Sequence, residues 1–572
     1  MPSSPMLSGS GAQILVQCLV AQGVRKVFCV PGESHLGVID ALYDVRETIS
    51  LIVCRHESGA SNMADAYGKL TGEPGIALVS RGPGATNASI GIHTAFQDST
   101  PLILLVGQVQ RDFIEREAFQ EVDFRRMFGQ MAKWVAQIDE AKRVPEYLSH
   151  AFHCATSGRP GPVVLALPED MLGDEAQAPA VPHYQRVAAS PSSYQLARLV
   201  DLLSRAQRPI LILGGSGWMP DACENIRRFA EAWRLPVACA FRFQDLFDNE
   251  HPQYAGDVGI AINPKLAQRI QEADVALVIG PRLGEMTTSG YTLFEVPVPR
   301  QTLIQVHAGA EELGRVYAAQ LPINSGMPEI AALLAETRAL SQIVGGTFPW
   351  AAETEKARAD YLAWNAPVQV EGPLQLAEIL KQLRERLPAD AIVCNGAGNF
   401  SAWLHRFHRY RRFKSQVGPT SGAMGYGLPA AVAAKALHPD RAVVAYVGDG
   451  DFLMTGQELA TAVHHRLPLV ILLVNNGIYG TIRMHQERSY PGRVYGTTLT
   501  NPDFVAYARA FGAFGETVER TEQFAPAFDR ALAAGVPALL ELRLPAEVIT
   551  PTTTISAIRE HALRRGGSGK AS

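Results

Sequence analysis

The chain has 572 residues, which is too long for one hydrophobic core and fits two or three domains. Apolar residues make up 47% of the sequence and charged residues 19%, a composition typical of a folded globular protein and unlike a disordered one. The formal net charge of −4 gives no basic surface for nucleic acid or for a membrane, so neither is expected as a partner.

The cysteines and the lengths of the apolar runs argue against several further classes of protein. The seven cysteines are scattered, odd in number and contain no C-x-x-C pair, which argues against a disulfide framework or a zinc site. No secretory segment is visible at the N-terminus, and no apolar run approaches the roughly 18 residues of a membrane helix. A cytoplasmic protein is therefore expected.

The first part of the chain, residues 1–176, alternates short apolar runs with longer helical stretches, the pattern of a parallel α/β sheet. The predicted buried strands are residues 26–30, 75–80, 101–107 and 162–168. A passage rich in Pro and Ala, about residues 176–193, is predicted to be a linker. Residues 1–176 therefore form the first predicted domain.

Two further blocks show the same alternation. The predicted strands are residues 209–215, 236–241, 275–280 and 302–306 in a central domain (193–345), then 391–398, 442–452, 469–476 and 537–544 in a C-terminal domain (372–550). The tail, 551–572, is Thr-rich and then basic and Gly-rich; it is either disordered or a lid over a site. The fold class is α/β, with three domains whose mainly parallel sheets bind ligands at the carboxyl ends of their strands.

The strongest chemical pattern lies at two such strand ends. Gly448-Asp449-Gly450 ends one predicted strand, and Asn475-Asn476 ends the next. Oxygens of Asp449 and Asn476, with a backbone carbonyl just beyond, form a three-ligand set suited to Mg2+, which phosphate oxygens and water would complete. The glycines let the backbone approach phosphate, and a helix predicted to start near Thr455 offers free N–H groups to an anion.

This segment resembles the thiamine-diphosphate motif, and the chain from about residue 11 to residue 550 resembles the acetolactate synthase superfamily. The resemblance implies an N-terminal pyrimidine-binding domain, a middle domain and a C-terminal diphosphate-binding domain. It also implies thiamine diphosphate and Mg2+ as cofactors, with Asp449, Asn476 and the Ile478 carbonyl as metal ligands.

The resemblance implies a larger set of cofactor contacts within the C-terminal domain. Met424 matches the apolar residue that wedges the cofactor into a V shape, and the Gly422 carbonyl would accept a hydrogen bond from its aminopyrimidine. The implied contacts are Asn395, Gly396, Gly398, Asn399, Gly422, Met424, Gly448, Asp449, Gly450, Asp451, Asn476, Ile478, Tyr479 and Gly480.

A glutamate in the first domain matches the family's activating acid. Glu57, in RHESGASN, follows a predicted strand and begins a helix. In the family this glutamate protonates the pyrimidine ring, while the diphosphate site comes from another subunit. A homodimer or homotetramer with active sites at the subunit interface is therefore implied.

Substrate contacts are expected from the same domain. Phe119 and Gln120 match the pair that lines the substrate side in acetolactate synthases, and Gln108 matches a further family position. His93 and Gln97, on the helix after RGPGATN, fit a structural role as well as a functional one. Gln120 joins Glu57 as a predicted catalytic residue.

Two residues of the first domain depart from the family pattern. Glu33 stands where acetolactate synthases have a small residue; as a third predicted catalytic residue it would donate a proton or orient an acceptor carbonyl, and otherwise it is a solvated loop acid. Arg81 either binds a substrate carboxylate or pairs with Glu33 or Asp98.

The other two domains also depart from the family pattern. These departures affect residues predicted to contact the substrate and the stretch that binds flavin in the flavin-binding synthases. His485 sits near the place of an acceptor-selecting Trp, and Ile482 stands where the decarboxylase branch has a glutamate, so both are predicted substrate residues. The middle domain reads IGPRLGEMTTSGYTLF (279–294) in place of the flavin-binding stretch, so FAD is expected to be absent.

The leading hypothesis is a carboligase that decarboxylates a 2-oxo acid and transfers the acyl carbanion to a second carbonyl. Pyruvate giving acetolactate is the simplest case. Alternatives are a lyase that cleaves 2-hydroxyketones or 2-hydroxyacyl-CoA thioesters, a 2-oxo acid decarboxylase, and an acetyl transfer of the sulfoacetaldehyde type. A noncatalytic cofactor-binding protein is disfavoured because Glu57, Asp449 and Asn476 are all present.

Overall fold

A computed structural model describes residues 5–337 and 348–568 of the chain. Within these ranges the chain forms three six-stranded sheets, each parallel throughout and flanked by helices, together with two small antiparallel pairs. The α/β class and the three parallel sheets predicted from the alternating runs are confirmed. No helix in the described ranges has the length and apolar character needed to span a membrane.

The first sheet has the strand order β3-β2-β4-β5-β7-β6. Its strands are β2 Lys26–Cys29, β3 Ser50–Val53, β4 Gly75–Val79, β5 Leu102–Gln108, β6 Trp134–Gln137 and β7 Pro162–Pro168. Its helices are α1 Gly11–Ala21, α2 Leu36–Asp44, α3 Glu57–Thr71, α4 Gly82–Asp98, α5 Phe124–Phe128, α6 Val144–Thr156 and α7 Glu169–Gly173. An edge pair, β1 Met6–Ser10 with β8 Glu175–Pro179, joins the two ends of this domain.

The middle sheet has the order β11-β10-β9-β12-β13-β14. Its strands are β9 Pro209–Leu213, β10 Val237–Ala240, β11 Tyr254–Val258, β12 Val275–Ile279, β13 Thr302–His307 and β14 Leu321–Asn324. Its helices are α8 Ser193–Ser204, α9 Pro220–Trp233, α10 Pro264–Glu272, α11 Met327–Glu336 and α12 Ala351–Trp364. This order is that of a doubly wound dinucleotide-type fold.

The third sheet has the order β16-β15-β17-β18-β20-β19, which repeats the topology of the first. Its strands are β15 Ile392–Asn395, β16 Gln416–Val417, β17 Val443–Gly448, β18 Val470–Asn475, β19 Phe514–Val518 and β20 Ala538–Arg543. Its helices are α13 Leu376–Arg386, α14 Phe400–Phe407, α15 Gly427–Leu437, α16 Asp449–Phe452, α17 Glu458–His464, α18 Gly480–Ser489, α19 Phe504–Ala510 and α20 Thr521–Ala533. The strand order reverses between β15 and β17, the place where such sheets bind ligands.

The first and third domains share one hydrophobic core. Small residues on α3, such as Ala60 and Ala64, pack against the alanine-rich helix α15, and both helices are buried within the same cluster. Burial of apolar area stabilises this junction at roughly 25 cal/mol per Å2. The junction therefore fixes the N-terminus of α3, where Glu57 lies, relative to the third domain of the same chain.

The C-terminal tail is folded in the described residues. A hairpin of β21 Val548–Thr550 and β22 Thr553–Thr554 leads into α21 Ile555–Ser568. Ile555 and Ile558 of this helix pack with Met484 of α18 and with Ile549. The described residues of the tail are therefore ordered against α18, and a role as a lid over the site stays a prediction.

Two sequence predictions differ from the structure in detail, and part of a third cannot be compared with it. The predicted linker 176–193 begins with strand β8, because the backbone of residues 175–179 pairs antiparallel with β1. The helix predicted near Thr455 begins at Glu458, and a separate short helix, α16, starts at Asp449 itself. Residues 338–345 of the predicted middle domain lie outside the described residues.

Candidate active site

A cavity of about 240 Å3 opens at the carboxyl ends of β15, β17 and β18 in the third domain. Its lining contains all of the predicted cofactor residues except Asn395 and Gly396, together with Ile482. It also contains four residues that the sequence did not indicate: Ala397, Phe400, Val474 and Thr481. All of the described residues that line this cavity lie between Ala397 and Ile482.

Asp449, in the lining of the cavity, is held by one of its two carboxylate oxygens. Its Oδ2 accepts from Gly477 N at 2.9 Å and from Asn501 Nδ2 at 2.8 Å. Burial raises the pKa of the Asp449 carboxyl, while these hydrogen bonds favour its ionised form. Both donors contact Oδ2, so they fix the orientation of the carboxylate at the strand end.

Asn501 was missed by the sequence reasoning. Its amide nitrogen also donates to Asn475 Oδ1 at 3.0 Å, while Asn475 Nδ2 donates to Glu541 Oε1 at 2.7 Å. The chain Asp449–Asn501–Asn475–Glu541 therefore fixes the two strand ends that carry the predicted metal ligands.

The residues present fit a magnesium diphosphate. Within the described ranges no three His, Cys, Asp or Glu side chains could hold a metal by themselves. The predicted set, one carboxylate, one amide and one main-chain carbonyl, consists of the oxygen ligands that Mg2+ takes alongside phosphate oxygens. A Cβ on Gly450 would lie 2.6 Å from the Tyr479 ring, and one on Gly448 would lie 2.7 Å from Phe400, so glycine is required at both positions.

Asp451 organises the loops around the cavity. Its Oδ1 accepts from Gly425 N at 2.9 Å and from Ala397 N at 3.2 Å. Its Oδ2 is buried without a partner, and a Cβ on Gly396 would lie 1.9 Å from it. Burial raises the pKa of the Asp451 carboxyl to about 7. Gly396 therefore lies outside the cavity but against the acid that shapes it.

Glu57 lies in the first domain and is half-buried as the first residue of α3. Asn87 of α4, the last residue of RGPGATN, donates from Nδ2 to Glu57 Oε2 at 2.9 Å. Glu57 does not line the cavity of its own chain. The sequence prediction that the activating acid and the diphosphate site come from different subunits is compatible with this separation.

Glu458 was also missed, and it supports the segment that carries Glu57. It is fully buried, and its Oε1 accepts from His56 N at 2.9 Å and from Arg55 N at 3.2 Å. A Cβ on Gly59 would lie 2.3 Å from that oxygen, so only glycine fits there. Burial raises the pKa of the Glu458 carboxyl, and its hydrogen bonds oppose that rise.

The predicted substrate residues of the first domain occupy varied surroundings. Arg81 pairs with Glu169, which is neither of the partners considered from the sequence, and donates to the Phe119 carbonyl at 3.4 Å. Phe119 is 75% exposed. Glu33 is exposed at the start of a single 3-10 turn. A substrate carboxylate would therefore have to compete with Glu169 for Arg81.

Gln120 and Gln108 differ in their freedom to reach a substrate. Gln120 has a left-handed backbone, with φ of 66°, and its carbonyl accepts from Gly82 N at 3.0 Å. Gln108 is buried, donates to the Val122 carbonyl at 2.9 Å and accepts from Val109 N at 3.0 Å. The Gln108 side chain is therefore committed to holding the backbone of its own domain.

The remaining predicted residues also differ in whether they line the cavity, lie exposed or make contacts within the chain. Ile482 lines the cavity, whereas His485 is exposed and lies outside the lining. Both belong to α18, where one turn separates them. His93 is exposed, and Gln97 accepts from Arg282 through its carbonyl at 3.3 Å.

Family models agree with this division into three domains. The model of the thiamine pyrophosphate enzyme N-terminal binding domain matches residues 9–127. The model of the central domain matches residues 196–367. The model of the C-terminal binding domain matches residues 396–542, which contain the whole cavity lining.

Curated relatives extend over nearly the whole chain. The acetolactate synthase isozyme 2 large subunit of Escherichia coli is 32% identical over 94% of this chain and 95% of its own length. The acetolactate synthase large subunit of Corynebacterium glutamicum is 32% identical over 91% and 84%. A probable acetolactate synthase large subunit of Methanocaldococcus jannaschii is 30% identical over 94% and 93%. The chain belongs to the acetolactate synthase-like family of thiamine-diphosphate-dependent enzymes.

Proposed function

We propose that this enzyme is a Mg2+-dependent carboligase that decarboxylates a 2-oxo acid and transfers the acyl carbanion to a second carbonyl compound. The observation that carries the proposal is the arrangement of Asp449 and Asn476 at adjacent strand ends, in a cavity with Gly422 and Met424. The reaction is redox-neutral, so the proposal assigns no flavin to the middle domain. The acetolactate synthase names of the relatives support the same reaction class.

The side chains of the third domain would bind and orient the cofactor. Asp449, Asn476 and the Ile478 carbonyl would hold Mg2+ and, through it, the diphosphate. The Gly422 carbonyl would accept from the aminopyrimidine, and Met424 would provide an apolar surface that fixes the cofactor's bend. Thiamine diphosphate, when bound, supplies the carbanion chemistry that amino acid side chains lack.

Side chains of the first domain would transfer a proton to and from the pyrimidine ring of the cofactor. Glu57 would hold a proton at its carboxylate and exchange it with the pyrimidine ring, while Asn87 holds Oε2 in place. The apolar Ile482 borders the cavity where the decarboxylase branch has an acid. Without a proton donor there, release of an aldehyde is disfavoured and transfer to a second carbonyl is favoured.

We propose that the complete site forms between two copies of the chain. Glu57 is partly exposed and does not line the cavity of its own chain, whose lining comes from the third domain alone in the described residues. Exposed apolar side chains lie near both parts of the site, including Phe119 at 75% and Ile482 at 56% exposure. Burial of these groups against a second copy would stabilise a dimer and complete the site.

Calorimetric titration of cofactor-free protein tests the proposed ligands. Thiamine diphosphate is expected to bind in the presence of Mg2+ and to bind at least about tenfold more weakly after the metal is removed with a chelator. Asp449→Ala is expected to lose this metal dependence, because one of three protein ligands is gone. Tight binding to the wild type that is indifferent to Mg2+ would overturn the assignment of the metal site.

A further inference from the structure

The loop of residues 419–425 presents the predicted pyrimidine-side groups to the cavity. It connects β16 to α15, and its side facing the cavity carries Gly422 and Met424. Gly422 has a left-handed backbone, with φ of 73°. Residues 419–425 belong to no strand of the described sheets, so other contacts must set the position of the carbonyl groups in this loop.

The first domain supplies one set of these contacts through Asp98, the last residue of α4. Asp98 Oδ2 accepts from Thr420 N at 3.0 Å, and Oδ1 accepts from Ser421 N at 3.1 Å. Oδ1 also accepts from the Thr420 hydroxyl. The Asp98 side chain is fully buried and is paired with Lys69. A buried carboxylate with this many donors is rigidly placed, because losing any donor leaves an unpaired charge.

The middle domain supplies the second set through Arg242. This residue follows β10, has φ of 65° and is buried. One guanidinium nitrogen donates to the Pro419 carbonyl, and the other donates to the Gly396 carbonyl at 2.8 Å. The planar fork therefore ties the loop at 419 to the loop at 396, which lies on the diphosphate side of the cavity.

We propose that Asp98 and Arg242 are positioning residues that together clamp residues 419–422 and so set where the Gly422 carbonyl meets the cofactor. The identity of that cofactor rests on the proposed function. Neither residue lines the cavity, so each acts through the loop and not by touching the ligand. The clamp makes the first and middle domains of one chain part of the cofactor site in its third domain.

The charges around the clamp alternate in sign. Arg242 faces Asp98 and Asp451, and Asp98 also faces Lys69. Burial lowers the pKa of Arg242 to about 10, and the two carboxylates oppose that change, so the guanidinium is charged at neutral pH. Lys69 also pairs with Asp65 at 2.8 Å and donates to the Gly418 carbonyl at 3.1 Å. Each buried charge in the cluster therefore has an opposite neighbour.

Two substitutions in the full-length protein test the clamp through cofactor binding. Arg242→Gln and Asp98→Asn are each expected to weaken thiamine diphosphate binding at saturating Mg2+ by about tenfold or more, with Arg242→Lys recovering part of the loss. They are also expected to change the near-ultraviolet circular dichroism of the bound cofactor, because its pyrimidine environment shifts.

Control substitutions at other buried charged residues test whether weaker cofactor binding results from loss of the clamp or from loss of any buried charge. Arg358 donates to the Asn249 and Glu250 carbonyls, at 2.8 and 3.1 Å, and contacts no residue of the clamp. Asp360 of the middle domain is largely buried and pairs with Lys265 at 2.6 Å and with Arg269 at 3.2 Å, and in the described residues it forms no hydrogen bond with residues 419–422. Arg358→Gln and Asp360→Asn are expected to keep the dissociation constant within about twofold of the wild type. Equal losses in clamp and control variants would overturn the proposal.

Hydrogen exchange in the wild-type protein without cofactor keeps the proposal testable if a variant does not fold. The clamp consists of protein groups only, so the amides of Thr420 and Ser421 are expected to exchange about 100-fold or more slowly than exposed Tyr495. Exchange as fast as that of Tyr495 would overturn the clamp. If the wild type binds no thiamine diphosphate, the proposed function fails, and the exchange rates still decide whether the loop is clamped.

Discussion

At the scale of single residues, Glu57 carries the most specific chemical expectation. Glu57→Gln is expected to reduce turnover by about two to four orders of magnitude, the range attributed to acid–base catalysis. Cofactor affinity is expected to stay nearly unchanged, because Gln fills the same volume and Asn87 can donate to its carbonyl. Steady-state kinetics and calorimetry on the same preparation measure both effects. Full turnover in this variant would contradict the role of Glu57.

Asn501 allows a second test at the same scale, away from direct ligand contact. Asn501→Ala removes the donor shared by Asp449 and Asn475. The Mg2+ concentration needed for half-maximal activity is expected to rise by about 10- to 100-fold, as for other residues that orient metal ligands. Asn324→Ala is the control, since Asn324 donates to two carbonyls of the middle domain. An equal rise in both variants would contradict the role of Asn501.

Single residues also show where sequence reasoning succeeds and where it stops. Asp449 and Asn476 could be found because each lies at the end of an apolar run, and a parallel sheet brings such ends together. Asn501, Glu458, Asp98 and Arg242 have no such pattern. His56 and Glu458 are 402 positions apart in the sequence, and Asp98 and Thr420 are 322 apart. Contacts over such distances depend on how the domains pack, which local spacing does not encode.

At the scale of elements, the C-terminal helix α21 is tied to α18 by one buried acid. Glu487 accepts from Arg559 at 2.7 and 2.8 Å and pairs with Arg483 at 2.7 Å. Because α18 begins just after Ile478 and carries Ile482, docking of α21 orders one wall of the cavity. Arg559→Gln is expected to speed hydrogen exchange in α21 and raise the KM for substrate, with little change in cofactor affinity. His561→Gln, at an exposed position of the same helix, is the control.

The pH dependence of this docking follows from the same contacts. Hydrogen bonds from Arg559 lower the pKa of the Glu487 carboxyl from its usual 4.5 to about 2. Since the folded-state pKa is depressed, the stabilisation is complete above the unfolded-state value and is lost as pH falls from about 4.5 to 2. The stability difference between wild type and Glu487→Gln, measured by urea unfolding, is expected to shrink over that interval. A difference that stays constant down to pH 2 would contradict the ion pair.

The strands and helices also show which parts of the fold can be predicted from the pattern of apolar residues and which cannot. The long buried strands, such as β5 and β7, were predicted nearly to their ends because they are apolar on both faces. The edge strands β14 and β19 are not predicted from the sequence, because their half-exposed residues lack a continuous apolar run. Edge strand β11 is buried but is not predicted either, because Gly256 and Asp257 interrupt its apolar residues. Helix α17 starts later than predicted because the short helix α16 intervenes.

At the scale of the whole molecule, the central expectation is that two chains share each active site. Glu57→Gln and Asp449→Ala chains are each expected to be inactive alone. Mixed by co-expression, they are expected to regain about a quarter of wild-type activity, because half of random dimers are mixed and each mixed dimer has one intact site. No recovery, in preparations shown by sedimentation to contain mixed dimers, would place the complete site within one chain.

The family and the fold class could be predicted from sequence because their motifs lie at strand ends throughout the chain. The reaction itself is a proposal, because under the shared-site proposal the groups that meet Ile482 and Met424 in the cavity would come from a second chain. Glu33, Arg81 and Gln120 all belong to the first domain, so their roles are predictions that only the assembled site can test.

The most direct test of the account is CO2 release with product identification by mass spectrometry across a panel of 2-oxo acids. Cofactor-free protein would be assayed with thiamine diphosphate and Mg2+, separately and together. The account predicts CO2 release only with both, accompanied by a coupled acyloin or acetohydroxy acid. Absence of CO2 from every 2-oxo acid, with cleavage of a 2-hydroxyketone or a 2-hydroxyacyl thioester instead, would contradict the carboligase and establish a lyase.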